Sequence, residues 1–213
     1  MNSKLKRDQI PPMQARNWRK NFKEEKEKTF NLLVPKIILE KETYLKLAGE
    51  NENRVRIYLA LEEEKKSGKN VLCAYAVSAF LLGSGDVYAD YETPVYKLEK
   101  KNINFSNNTG SVIESIRRFR KWRAGEIDAE DENAKVRQYI YPNAYLLTKF
   151  ELHEIFISQN RTEAEIDFGI SKIMDAMIYP APSEMRSEND DMEVFDGTGL
   201  CPPYCDERSI YNT

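Results

Sequence analysis

The chain has 213 residues, of which 41% are hydrophobic and 31% are charged, and its formal net charge at pH 7 is −3. This length fits one large domain with a substantial core. The near balance of charges excludes a uniformly basic nucleic-acid binder, and the longest apolar-rich run, Val71 to Leu82, is too short to span a membrane. We therefore expect a globular, cytoplasmic protein without a secretory signal or membrane contact.

The beginning of the chain predicts an arm followed by a helix. Residues 1–12 are basic and end at two prolines, which is typical of a flexible arm. Residues 13–28 place Ala15, Trp18 and Phe22 at spacings of three and four, with charged residues between them. This spacing predicts an amphipathic helix with a narrow apolar face.

A second helix is predicted over residues 36–48. Pro35 stands where a helix can begin, and Gly49 stands where one can end. In this helix Ile38, Leu45 and Ala48 are expected to face inward.

The clearest local pattern is a β-hairpin. Residues 54–61 alternate apolar and polar side chains, and residues 71–82 are rich in β-formers and small residues. A polar segment with a glycine, residues 62–70, joins these two runs. The apolar face of the first strand consists of Val55, Ile57, Leu59 and Leu61.

The middle of the chain predicts short strands and one further helix. Residues 87–91 and 95–98 are strand-like and are separated by Pro94, which suits a sheet edge. Residues 111–123 predict a helix whose inner face consists of Val112, Ile116, Phe119 and Trp122. The acidic residues 126–134 predict a loop.

The last third of the chain is harder to interpret. Residues 164–179 carry Ile166, Ile170 and Met174 at helical spacing, so an amphipathic helix is predicted there, although Gly169 weakens it. A polar linker, 183–191, and a short strand at 192–195 precede the tail. Together with the hairpin, these elements predict an α+β fold, in which an antiparallel sheet containing the central hairpin packs with several helices.

Reactive side chains are few. The chain has a single histidine, His153, and no nucleophile, phosphate-loop or metalloprotease motif. We therefore expect no catalytic residues and no cofactor, and predict that the protein is not an enzyme.

The cysteines leave a zinc-dependent regulator as one alternative. Cys73, His153, Cys201 and Cys205 together would supply the four N and S ligands that zinc prefers. Cys73 lies within an apolar strand, where a buried thiol is the ordinary interpretation. The segment from Cys201 to Cys205 is better explained as a proline-stiffened tail on the domain surface, because a cytosolic disulfide is usually reduced.

Two basic–aromatic segments and a high tyrosine content indicate surface contacts. Residues 16–23 and 117–123 mix arginines with aromatic rings, a composition that can bind nucleic acid or form an ordinary amphipathic helix. The 12 tyrosines can fill the core or supply an interface. The residues predicted to contact a partner are Trp18, Arg19, Phe22, Tyr88, Tyr91, Tyr96, Arg117, Arg120, Trp122 and Arg123.

Four segments resemble a small bacterial family without an assigned activity. They are ARNWRKNF at 15–22, LVPK at 33–36, RVRIYL at 54–59 and DGTGLCPPYCD at 196–206. The resemblance implies one core that is closed by both ends of the chain. It also implies that 83–190 is an insertion into a smaller core formed by 13–82 and 192–209, within a single domain spanning 13–209.

These observations predict a non-enzymatic interaction or assembly protein that self-associates. The first alternative is a nucleic-acid-associated accessory protein that uses the two basic–aromatic segments. The second alternative is the zinc-dependent regulator. Protein is the expected partner, and nucleic acid is a less favoured one.

Overall fold

A computed structural model of the chain describes residues 6–28, 32–64, 68–83, 85–127, 140–181, 193–196 and 198–213. The helices are α1 (Pro12–Lys28), α2 (Lys41–Ala48), α3 (Thr109–Arg123) and α4 (Lys149–His153), and α4 continues as a π-helical turn over Glu154–Ser158. The strands are β1 (Ile37–Glu40), β2 (Arg54–Glu63), β3 (Asn70–Leu81), β4 (Tyr88–Lys97), β5 (Ile103–Asn104), β6 (Ala144–Leu146), β7 (Glu163–Ile170), β8 (Met174–Ala181) and β9 (Gly199–Cys201). None of these helices has the length and apolar character needed to cross a bilayer.

The fold is α+β, as predicted, with two antiparallel sheets. The larger sheet has the strand order β5-β4-β3-β2-β6-β9, and the smaller has the order β1-β7-β8. The predicted hairpin is confirmed as β2 and β3, which pair from Arg54 opposite Ala79 to Glu63 opposite Asn70. Both strands extend into the segment predicted as a turn, so that the connection is shorter than expected.

The largest core lies between the two sheets. It contains the predicted apolar face of β2 together with Ile166 and Phe168 of β7. The opposite face of β2 is buried as well, in a second core that Val112 and Ile116 of α3 and Tyr211 of the tail help to form. The large sheet is therefore covered on both faces.

Helices α1 and α3 lie where the sequence predicts them. Ala15 and Phe22 of α1 are buried, and so are all four inner residues predicted for α3. Helix α1 packs on β7 at Gly169, where an added Cβ would lie 2.8 Å from Cβ of Trp18 and 2.9 Å from Sδ of Met177. Gly169 therefore allows a close approach of the helix to the small sheet.

The helix predicted over 36–48 begins later than expected. Residues Ile37–Glu40 form β1, which pairs with β7, and only Lys41–Ala48 are helical. Ile38 and Ala48 are buried as predicted, but Leu45 is 48% exposed. Gly49 ends the helix with a φ of +57°, as its position predicts.

The helix predicted over 164–179 is wrong, because this segment forms the hairpin of β7 and β8. Alternate residues of β7, namely Ala164, Ile166 and Phe168, are buried in the core, which is a strand pattern. A turn at 171–173 joins the two strands.

Strand β4 is continuous where two short strands were predicted. Its pairing with β3 shifts register between Val77 and Ala79, and Thr93 and Pro94 lie in the resulting irregularity. Proline has no N–H to donate and is tolerated at such a position.

Residues 6–10 pack against the domain, which differs from the flexible arm predicted over 1–12; residues 1–5 of that arm lie outside the described residues. Ile10 is buried and its N–H donates to the carbonyl of Val194 at 2.8 Å. Nζ of Lys6 lies 2.5 Å from Oε1 of Glu154 and 2.9 Å from Oε1 of Glu193. The pairing of Gln9 with Phe195 makes this segment an extension of the small sheet.

The segment 83–190, predicted as an insertion, contributes strands to both sheets over its described part. It supplies β4, β5 and β6 to the same sheet as the central hairpin and β7 and β8 to the smaller one. The predicted linker at 183–191 lies outside the described residues, and so does residue 192 of the strand predicted at 192–195. Among residues 193–195, Phe195 forms a bridge.

Both edges of the small sheet are covered. At β1, Asn102 donates from its side chain to the carbonyl of Ile38 at 2.8 Å and accepts from the N–H of Glu40 at 3.0 Å. At β8, the N–H and the carbonyl of Ile178 both bond to Phe195, at 3.0 Å each. These occupied positions oppose the addition of another strand at either edge.

Candidate functional site

The first basic–aromatic segment contributes to the core more than to the surface. Phe22 is buried, with its ring centroid 5.8 Å from that of Phe168, and Trp18 is half-buried against the outer face of the small sheet. Arg19 donates from Nε to the hydroxyl of Tyr179 at 2.8 Å, and its guanidinium lies over that ring. These three residues hold α1 on the small sheet.

The second basic–aromatic segment is also engaged within the fold. Trp122 is buried between the rings of Phe119 and Tyr141. Arg123 donates to Oδ1 of Asn143 at 2.8 Å, whereas Arg117 is exposed. In these two segments most of the rings and cations predicted to contact a partner therefore make contacts within the protein.

The three tyrosines predicted near a surface contact have different environments. Tyr96 is buried, so its ring cannot contact a partner on this surface. Tyr88 is half-buried with the guanidinium of Arg54 4.7 Å from its ring centroid, and Tyr91 is 42% exposed. Tyr91 is thus the most accessible of the three.

The four residues of the proposed zinc site do not form a metal-binding group within the described chain. Cys201 and Cys205 form a disulfide with each other, and His153 is exposed on α4. Cys73 is buried, and burial raises the pKa of its thiol well above the usual value, so the metal-binding thiolate is disfavoured. The disulfide also differs from the reduced tail that the sequence predicts.

A buried ion pair, which the sequence analysis missed, connects the central hairpin to β4. Nη1 of Arg56 lies 3.2 Å from Oδ1 of Asp90, and both side chains are 1% exposed. Neither atom has a well-directed hydrogen bond, so the attraction is mainly Coulombic. Arg56 also donates from Nη2 to the carbonyl of Tyr88 at 3.1 Å. Burial raises the pKa of Asp90, and Arg56 opposes this shift.

The C-terminal tail is attached to this ion pair. The hydroxyl of Tyr58 donates to Oδ2 of Asp90 at 2.5 Å, and the N–H of Asp90 donates to Oδ2 of Asp206 at 2.8 Å. Tyr211 is buried and its hydroxyl donates to the carbonyl of Glu92. These contacts fix the tail over β4.

Arg120 of α3 anchors the end of the tail. It donates to Oδ1 of Asn212 at 2.7 Å, to the carbonyl of Tyr211 at 3.4 Å and to the carbonyl of Thr213. Burial lowers the pKa of Arg120. This arginine, predicted to contact a partner, has a structural role.

Three aspartates lie near one another where the N-terminal segment meets β8 and the tail. Burial, together with the negative charge of Asp175 and Asp8, raises the pKa of Asp196 to about 6. Asp175 accepts a hydrogen bond from Ser171 at 2.7 Å, and burial raises its pKa too. Asp196 therefore titrates in a pH range where ordinary aspartates are already ionised.

Asp196→Asn is expected to stabilise the protein at pH 7.5 by about 1–2 kcal/mol, after a discount for partial exposure. The pKa of Asp196 is higher in the folded state than in the unfolded state, so protonation of its carboxyl group favours folding. This contribution to stability is complete below pH ~4 and is lost as the pH rises through about 6. Denaturation with urea between pH 4 and 8 should show a smaller loss of stability with rising pH in the variant. Glu207→Gln, at an exposed position, is the control, and equal pH profiles for Asp196→Asn and the natural protein would contradict the expectation.

An exposed apolar surface lies at the end of the β3–β4 hairpin. We call it the hairpin patch, and it consists of Phe80, Leu82, Val87 and Tyr91. The N–H of Leu82 bonds to the carbonyl of Val87, and the ring centroids of Phe80 and Tyr91 lie 4.6 Å apart. The four side chains therefore lie on one face of the two strands. Leu82 is 44% exposed and Val87 is 58% exposed. Of the residues predicted to contact a partner, only Tyr91 belongs to this surface.

Among the described residues, fold and surfaces define an α+β protein with two antiparallel sheets, a tail bonded beside a buried ion pair and an exposed apolar hairpin end. No known protein family, no curated protein and no solved structure matches this chain. The resemblance to a small bacterial family therefore stays a prediction.

Proposed function

We propose that the protein is a non-enzymatic interaction protein that self-associates through the hairpin patch. The observation that carries this proposal is that Leu82, Val87 and Tyr91 lie on one face and are each 42–58% exposed. Grouped apolar exposure of this kind marks interaction surfaces, whereas single exposed apolar residues need no explanation.

A second copy of the chain is the proposed occupant. Two copies related by a twofold axis can each cover the same patch on the other, which is the commonest arrangement in homodimers. Strand addition at the small sheet is the competing mode, and the covers at Ile38 and Ile178 oppose it. Contact between hairpin ends needs no rearrangement of either sheet.

The self-association is expected to be weak and to strengthen with salt. The patch is small in comparison with stable interfaces, so a dissociation constant of about 0.1–1 mM is expected. Residues 80–92 contain three acidic residues and no lysine or arginine, and of the acidic ones Asp86 and Glu92 are exposed. Two copies therefore bring like charges together, and salt reduces this repulsion.

The double variant Leu82→Gln/Val87→Thr tests the proposal. It removes apolar surface from both sides of the contact and is expected to weaken self-association by at least about tenfold. Sedimentation velocity from about 10 µM to 1 mM, at low and high salt, measures the effect over the expected range of dissociation constants. Leu45→Gln is the matched control, since Leu45 is 48% exposed on α2 and lies outside the patch.

The proposal fails if the natural protein is monomeric over this whole range, or if the control variant weakens association as much as the double variant does. Association that weakens with salt would also contradict it, because that dependence indicates attraction between opposite charges.

The nucleic-acid alternative has less support. Phe22 and Trp122 are buried, and Arg120 and Arg123 are bonded to the protein, so the two predicted segments have few groups left for phosphates or bases. Nucleic-acid binding of this kind needs exposed rings beside free cations.

A further inference from the structure

A cleft of about 460 Å³ opens at one end of the large sheet. Parts of the chain that are distant in sequence line it: the segment before α1, the beginnings of β2 and β4, the junction of β6 with α4, and the tail. Small-molecule sites commonly have this size and are formed where several elements meet.

The cleft is positively charged although the protein as a whole is negative. Arg7, Arg54 and Lys149 line it together with one carboxylate, Asp86, and Nε of Arg7 also lies 3.6 Å from Oδ2 of Asp8, which leaves Arg54 and Lys149 as the main cations. Lys149 is exposed at the first position of α4 and has no bonding partner among the residues that the structure describes. This excess of positive charge favours an anionic ligand.

Arg54 is held in a fixed position at the cleft. Its Nε donates to the carbonyl of Leu147 at 2.8 Å, and its Nη2 donates to the carbonyl of Leu146 at 3.3 Å. The ring of Tyr88 lies against its guanidinium, with the centroid 4.7 Å away. Nη1 of Arg54 has no bonding partner among the described residues and can donate to a ligand, and a guanidinium already ordered loses little entropy on binding.

Aromatic rings provide the second feature of the cleft. Phe150 and Tyr204 line it together with Tyr88, and Tyr204 is 50% exposed. The guanidinium of Arg7 lies 5.9 Å from the centre of the Phe150 ring. Rings beside cations suit a planar ligand group that stacks while its anionic group binds the cations.

We propose that this cleft binds a small organic phosphate with a planar ring, the chemistry of a mononucleotide. Arg54 and Lys149 bind the phosphate, because arginine and lysine both donate charge-assisted hydrogen bonds to phosphate oxygens. The ring stacks on Tyr204.

Isothermal titration calorimetry with adenosine 5′-monophosphate tests the proposal, with adenosine and inorganic phosphate as partial probes. The monophosphate is expected to bind at least about tenfold more tightly than either partial probe, because only it engages both features of the cleft. Lys149→Gln is expected to weaken monophosphate binding by about tenfold through the loss of one charge-assisted contact. This exposed side chain can be changed without unfolding the protein.

Arg117→Gln is the matched control, since Arg117 is an exposed cation on α3 that lies outside the cleft. It should leave the affinity unchanged. The proposal is overturned if the monophosphate shows no saturable binding up to about 10 mM, if Lys149→Gln binds it as tightly as the natural protein, or if inorganic phosphate binds equally well.

Discussion

Replacing Arg56 with methionine is expected to lower the free energy of unfolding by about 3–5 kcal/mol. Methionine keeps most of the side-chain volume, but the buried carboxylate of Asp90 then loses the cation 3.2 Å away. Removal of one member of a buried ion pair is costly because the other charge stays buried without compensation. Urea denaturation followed by circular dichroism measures the loss.

Lys36→Met is the matched control for this change. Lys36 lies 3.4 Å from Glu165, and its side chain is 69% exposed. Exposed ion pairs contribute about 0–1 kcal/mol, so a small effect is expected. Equal destabilisation by Arg56→Met and Lys36→Met would contradict the expectation that the buried ion pair contributes more to stability than the exposed one.

A double-mutant cycle separates the ion pair from other effects of Arg56. Once Arg56→Met is present, Asp90→Asn should cost at least about 1 kcal/mol less than it does in the natural protein. Because the N–H of Asp90 bonds to Asp206, amide exchange at 206–213 should also accelerate in Arg56→Met.

The second large effect is expected for Phe168→Ala, at about 3–5 kcal/mol. The Phe168 ring is 1% exposed and lies between Phe22 of α1, at 5.8 Å, and Tyr145 of β6, at 6.2 Å. Its removal leaves a cavity at the point where helix and both sheets meet. The free energy of unfolding again provides the measurement.

Phe105→Ala is the comparison for this change. The ring of Phe105 is only partly buried and packs edge-on against Tyr75, so its loss should cost less than about 2 kcal/mol. Equal costs for the two variants would indicate that Phe168 does not occupy the tightly packed centre described above.

Local patterns were sufficient to predict the central hairpin, α1 and α3. In each of them the apolar spacing matches one period, and Val55, Ile57, Leu59 and Leu61 alternate without ambiguity. Segment 164–179 carries both periods at once, because Ile166 and Ile170 fit a helix while Ala164, Ile166 and Phe168 fit a strand. Pairing with β1 and β8 decides between them, and β1 lies more than a hundred residues earlier in the chain.

Strand β1 was missed for the same reason. Residues 36–40 have no clear period of their own, and they become a strand because β7 offers hydrogen bonds. Propensity over so short a segment is a weak guide when the partner is distant in sequence.

Functional surfaces were predicted less well than the fold. Aromatic rings beside arginines indicated contact sites, but Phe22, Tyr96 and Trp122 are buried in the core. The partners of Arg56 and the lining of the cleft come from separate segments, and nothing local to Asp90 or Lys149 marks them. One signal could have indicated the network: an arginine within a strand that the sequence predicts to be buried needs a counter-charge.

The covers on the small sheet limit how any other protein can recognise this one. Asn102 bonds to the carbonyl of Ile38 and the N–H of Glu40, and Phe195 bonds to both main-chain groups of Ile178, so an incoming strand would meet occupied positions on each edge. A partner that binds by main-chain pairing, which depends little on sequence, would first have to displace Asn102 or Phe195. A protein that binds along these two edges without displacing the covers must therefore contact side chains, which would make its binding sensitive to single substitutions.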